Sequence, residues 1–243
     1  MENPKVQIGH CKEEQDLLDL LKELRSILGD ALDSLANQNQ TPQSAESRYV
    51  SDAAVSVNHL SDGYILLRDS GRVHTSKVLI RPLIDIVIKA TAATKRKGFL
   101  FRIAYTELQE MKKLYDDTPE NAAEAAKCEE ALKRQFSKEP GYPIECKQVN
   151  GRYAAEVAEM LENYDTAYRI YCEFTHSAVR AVRGTLNPTT DPIDTTMVIW
   201  AVVMMLNQLK AFTPAKIIDL SSFNGRIILA QAAMLKAFGH TIS

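Results

Sequence analysis

This chain lacks most of the features that assign a function at sight. Its four cysteines, Cys11, Cys128, Cys146 and Cys172, are scattered with no C-x-x-C pair, which argues against a zinc ribbon or a dense disulfide scaffold and fits a reducing compartment. Neither sign of charge dominates: 29 basic and 31 acidic side chains leave a formal net charge of -2. There is therefore no global pull toward nucleic acid or an anionic membrane, and any phosphate contact has to be local. The longest apolar run, 197–206, is ten residues, about half of a membrane span. The start, MENPKVQIGHCKEEQ, has neither the basic beginning nor the apolar centre of a signal peptide. The expectation is a cytoplasmic protein with no membrane, no DNA partner, no metal and no cofactor. P-loop, dinucleotide-glycine, H-E-x-x-H and G-x-S-x-G patterns are all missing, which removes support for nucleoside triphosphatase, Rossmann, zincin and serine-hydrolase chemistry.

Strand signals are nearly absent as well, whereas 3.6-residue periodicity recurs from end to end, and 45% of the residues are hydrophobic. The pattern predicts an all-α protein, a bundle of about seven to nine helices. A first helix is expected over 13–36, with Leu17, Leu20, Leu21, Leu24, Ile27, Leu28, Leu32 and Leu35 on its buried side. The polar stretch 37–47, NQNQTPQSAES, reads as a linker. The chain accordingly divides into residues 1–47, an appended or dimerising arm, and a helical core over 48–243. Further helices are expected over 49–69, ended by Gly71, over 98–115, and over 119–136 behind Thr118-Pro119-Glu120. The longest uninterrupted helical pattern covers 153–182. An apolar segment to Ala211, capped by Thr195 or Thr196, belongs in the core, and a last helix covers 221–238.

Two stripes carry charge. In KVLIRPLIDIVIK, Lys77, Arg81, Asp85 and Lys89 recur every four residues, one drifting polar stripe on a greasy helix that Thr75 or Ser76 would cap and Pro82 would bend. Either Arg81 and Asp85 form an ordinary i,i+4 pair on a narrow wet face, or they line a polar pocket. In YRIYCEFTH, Arg169 and His176 are seven apart, within about 20° of one face of a helix. An imidazole and a guanidinium on one face suit proton transfer and anion binding. The plainer alternative is an Arg169–Glu173 ion pair beside a structural histidine. Arg180 and Arg183 lie one turn further and would extend a phosphate site or meet the helix end. Lys95, Arg96, Lys97 and Arg102 form the best local basic cluster for steering RNA. Asn58, His59 and Tyr168 read more simply as packing or helix–helix contacts.

The R-x6-H string of Arg169 and His176, on a late helix of an all-α chain, resembles the R-x4-6-H signature of HEPN domains, a helical superfamily that includes metal-independent endoribonucleases of toxin and phage-defence systems. More narrowly, VNHLSDGYILLRDS, LIRPLIDIVIKA and YDTAYRIYCEFTH resemble an uncharacterised bacterial family with an R-x3-acidic helix and a later Y-x4-H. Arg81 with Asp85 supplies the first element, with aspartate where glutamate is commoner, and Tyr171 with His176 the second. The resemblance implies a HEPN-like core and, in a homodimer whose two faces form one cleft, cleavage of RNA. His176 would act as general base or acid, Arg169 would stabilise charge on the phosphoryl oxygens, and Arg81, Asp85, Tyr171 and Arg180 would shape the binding surface. A non-catalytic module that binds a small anion or a protein partner is the alternative.

Overall fold

In a computed structural model of the chain, the residues described are 12–37, 44–115, 119–137, 149–165, 170–172, 191–212 and 218–237. Among them there are ten α-helices, eight of them seven residues or longer, and no strand. The chain is all-α. Its helices are α1 (Lys12–Asn37), α2 (Ala45–Asp69), α3 (Val73–Lys77), α4 (Ile80–Lys95), α5 (Phe99–Tyr115), α6 (Pro119–Ser137), α7 (Gly151–Val157), α8 (Leu161–Asn163), α9 (Asp191–Lys210) and α10 (Asn224–Ala237).

The apolar helix α9 is the centre of the bundle. Met197 through Val203, then Met205, Leu206 and Leu209, are buried in succession, as a helix hydrophobic on every side requires. By length and composition Pro192–Lys210 could cross a membrane, but 72% of that window is buried inside the bundle, the behaviour of a core helix. Helices α1, α2, α4 and α10 pack around it, α7 lies on α4, and α5 and α6 pair with each other. Thr94 on α4 donates to Gln208 on α9 at 2.9 Å and fixes the register of that pair.

The expectation that the first helix stands off as an arm is corrected. Leu18, Leu21, Leu24 and Leu28 are completely buried, and α1 packs on both α9 and α2. Its linker is shorter than the composition suggested, because Ser44 caps α2. The Ser44 hydroxyl accepts from Ser47 N–H at 3.1 Å, and Ser47 accepts in return at 3.3 Å, a capping box that starts the helix at Ala45.

At its other end α2 stops as the sequence predicts. Gly71, at φ 74°, donates to the Arg68 carbonyl, and Arg72 reaches the Leu67 carbonyl, a Schellman closure that needs the left-handed residue. The single charged-stripe helix is in fact two, since Val78 and Leu79 form a turn between α3 and α4. Pro82 therefore falls in the first turn of α4, where its missing N–H has no partner to lose, and it opens a helix where a bend was expected. Thr75 and Ser76 lie within α3 and do not cap it, and Ser76 instead donates back to the Val73 carbonyl at 2.7 Å.

The long helix expected over 153–182 is broken. After α7, Glu159 takes φ 58°; it donates to the Glu156 carbonyl at 3.0 Å, and Met160 donates to Ala155 at 2.8 Å. This is the same closure as at Gly71, made without a glycine. Thr195 and Thr196 are likewise interior to α9 and do not cap it.

Because α1 is core, Leu24→Ala is expected to lower global stability by about 3 kcal/mol, in one cooperative urea transition. Loss confined to the α1 helical signal, with the rest of the transition unmoved, is the contrary outcome.

Candidate functional site

Three side chains that are almost fully buried meet at the start of α9. Asp194, 2% exposed, accepts a hydrogen bond from the Tyr171 hydroxyl at 2.7 Å on Oδ1 and an ion pair from Lys77 Nζ at 2.8 Å on Oδ2. Tyr171 and Lys77 are each 1% exposed. Beside them the Tyr64 hydroxyl shares a hydrogen bond with Thr195 at 3.0 Å, and the Arg68 guanidinium lies 5.9 Å from the Tyr64 ring centroid. Arg68, wholly buried, pairs with Glu14 on α1.

A polar spine thus runs through one end of an otherwise apolar bundle, tying α1, α2, α3, α9 and the helical residues around Tyr171. Its charges follow the helix dipoles. Glu14 is in the first turn of α1 and Asp194 is the fourth residue of α9, where partial positive charge favours a carboxylate. Arg68 and Lys77 lie in the last turns of α2 and α3, where carbonyls favour a cation. With no exposed member among Lys77, Asp194 and Tyr171, this cluster holds helices in place and offers no surface to a substrate.

Tyr171 is therefore found with Lys77, the first charge of the stripe, through Asp194. The other stripe positions are half-buried on α4. Burial pushes the Asp85 carboxyl above the usual carboxylate range, and Lys89 and Arg81 draw it partly back. Lys89 reaches Glu107 on α5 at 3.8 Å, and burial, then the Glu107 charge, push the Tyr49 phenol up. Arg169, His176 and Arg180 lie outside the described residues, as do Tyr168, Glu173 and Arg183.

The basic cluster is largely occupied within the chain. Lys95 pairs with Glu159 at 2.5 Å, Arg96 donates to the Tyr153 hydroxyl at 2.8 Å, and Arg102 is buried. Lys97 is exposed. Asn58 is half-buried and His59 exposed on α2.

Asp194, Arg68 and Glu14 are the charged members that sequence reasoning missed. The signal was present for Asp194, since one carboxylate at the mouth of a helix apolar on every side has to find a cation. Nothing in the spacing names Lys77, over a hundred residues earlier, as that cation.

These features define a class: an all-α bundle closed at one end by a buried ion-pair and tyrosine network. The chain belongs to a family of unknown function, DUF5677, whose model matches residues 48–192, more than half of its length. Lys77, Arg81, Asp85 and Tyr171 fall inside that segment, and Asp194 falls two residues beyond it. No curated protein and no solved structure matches the chain.

Asp194→Asn removes the carboxylate charge facing the buried Lys77 ammonium and is expected to cost about 3–5 kcal/mol in urea denaturation; a loss below about 1 kcal/mol would mean that the pair is not holding the bundle. Asp85 gives a pH signature of the opposite kind. Its folded value is raised, so the unfolded chain ionises first as pH rises. The parent then loses stability from the ordinary carboxylate value up to the folded one. Asp85→Asn removes that loss, making the variant the more stable protein at pH 7 and erasing the difference in acid; parallel pH profiles for the two proteins would count against it.

Proposed function

We propose that the protein is a HEPN-like endoribonuclease that works without a metal, as a cytoplasmic homodimer, with Arg169 and His176 as its reacting face. The observation that supports this reading is the burial of Tyr171 against Asp194 and Lys77, beside an Ile170 that is 40% exposed. In the helical register read from the sequence, positions 169 and 176 fall about 160° and 140° from position 171. A tyrosine clamped inward leaves that opposite face for a partner subunit and an RNA strand.

The chemistry this face would perform is transesterification. A ribose 2′-oxygen attacks the adjacent phosphorus, the P–O5′ bond breaks, and the products carry a cyclic phosphate and a 5′-hydroxyl. His176 takes the 2′ proton or delivers one to the leaving oxygen, and Arg169 holds the phosphoryl oxygens as charge builds on them. Tyr171 acts through position and not through contact, with Arg81, Asp85 and Arg180 shaping the surface on which RNA lies.

The second reading, a non-catalytic module that binds a small anion or a protein, is favoured by the occupied basic cluster. Lys95 is paired with Glu159 and Arg102 is buried, so the exposed positive charge of that cluster comes down to Arg96 and Lys97, enough for a small anion more readily than for a polyanion.

Purified protein incubated with mixed RNA and EDTA is expected to yield cyclic-phosphate ends, with His176→Ala slower by about 100-fold or more. Equal cleavage by both proteins, or none by either, contradicts the ribonuclease. The binding module predicts intact RNA and an inorganic phosphate isotherm that disappears in Arg81→Ala.

A further inference from the structure

Away from the spine, α1 and α10 leave an open groove of about 740 Å³ between them. One wall is acidic: Glu13, Asp16, Asp19 and Glu23 follow one another along about 15 Å of α1, all of them exposed. The floor is apolar, with Leu20 beneath and Leu229 opposite. Leu229 is 71% exposed and its neighbour Ile228 62%, although α10 already seats Ile227 and Ala230 against the bundle. Two adjacent large aliphatic side chains are left to water, and one of them, Leu229, lines the groove beside the row of carboxylates, more than the scattered exposure of an ordinary surface.

The groove also shows what its acidic wall accepts. Arg226 of α10 reaches across it to Glu23, its Nη1 lying 3.0 and 2.9 Å from the two carboxylate oxygens. That guanidinium neutralises one end of the wall, and Asp16 and Glu13 lie further along it. Both helices stand outside the segment matched by the family model, one on each side of it.

We propose that this groove docks a basic amphipathic helix of a protein partner, about three turns long, with leucine-like side chains against Leu20 and Leu229 and lysine or arginine toward Asp16 and Asp19. Charge complementarity selects that occupant. A membrane surface or a nucleic acid would be repelled by the four carboxylates, and a second copy of the groove would set acid against acid. The proposal stands apart from the ribonuclease reading, because none of the residues proposed to act on RNA lines the groove.

The test uses the full chain and a fluorescent peptide of leucine and lysine in helical spacing. A scramble of the same composition and a glutamate-for-lysine version serve as controls. Micromolar binding that weakens with salt is expected for the first peptide only. Asp16→Lys with Asp19→Lys, and Leu229→Glu, should each weaken it at least tenfold without altering the circular dichroism, since all three positions are exposed. Arg226→Ala, which frees Glu23, should tighten it. No binding, equal binding of the scramble, indifference to these substitutions, or a dimer that Leu229→Glu converts to monomer would overturn the proposal; the last would assign the face to a second copy of the chain.

Discussion

A lysine ammonium and an aspartate carboxylate withdrawn from water each lose several kcal/mol of hydration, and the ion pair between Lys77 and Asp194 offsets part of that loss. That pairing constrains everything nearby. Through this pair the last turn of α3 is tied to the first turn of α9. Tyr171 donates to the other carboxylate oxygen of Asp194 and so sets which way its own side chain faces. The neighbouring Tyr64–Thr195 bond and the Arg68–Glu14 pair extend the same logic to α2 and α1. Because opposite charges sit at helix ends whose dipoles favour them, the spine is consistent with the helix directions that the apolar packing demands.

Much of this bundle is legible without coordinates. The leucine periodicity of α1, the all-round apolarity of α9, the glycine closing α2 and the proline opening α6 each act through local physics that a sequence displays. The failures have a common cause, which is that distant contacts replaced the local signal. Glu159 adopts a glycine-like backbone beside its ion pair with Lys95, sixty-four residues away, so no glycine or proline marks the end of α7. Thr195 resembles a cap, yet its hydroxyl is committed to Tyr64 and the helix begins earlier. Pro82 suggests a bend in one continuous helix because the turn before it, Val78 and Leu79, contains no turn-forming residue. Its charges were legible, but their division was not: Lys77 is sealed in the core while Arg81, Asp85 and Lys89 stay half-buried.

The consequence for function is a separation of roles. Lys77, Asp194 and Tyr171 are buried and tie helices together, and the reaction proposed for Arg169 and His176 would take place apart from them. The flanking helices contribute differently. α1 completes the core with its leucine side, and its acidic side, together with α10, faces outward as a groove that the family segment lacks.

The central claim, that a buried charge pair fixes this end of the bundle, is tested most directly by a double-mutant cycle on Lys77→Met and Asp194→Leu in urea denaturation. Each single substitution removes this ion pair and leaves the other charge buried, whereas the double replacement removes both charges. The account predicts a coupling energy of about 2 kcal/mol or more, with the double variant more stable than either single. Additive losses, with the double variant the least stable of the set, would contradict it.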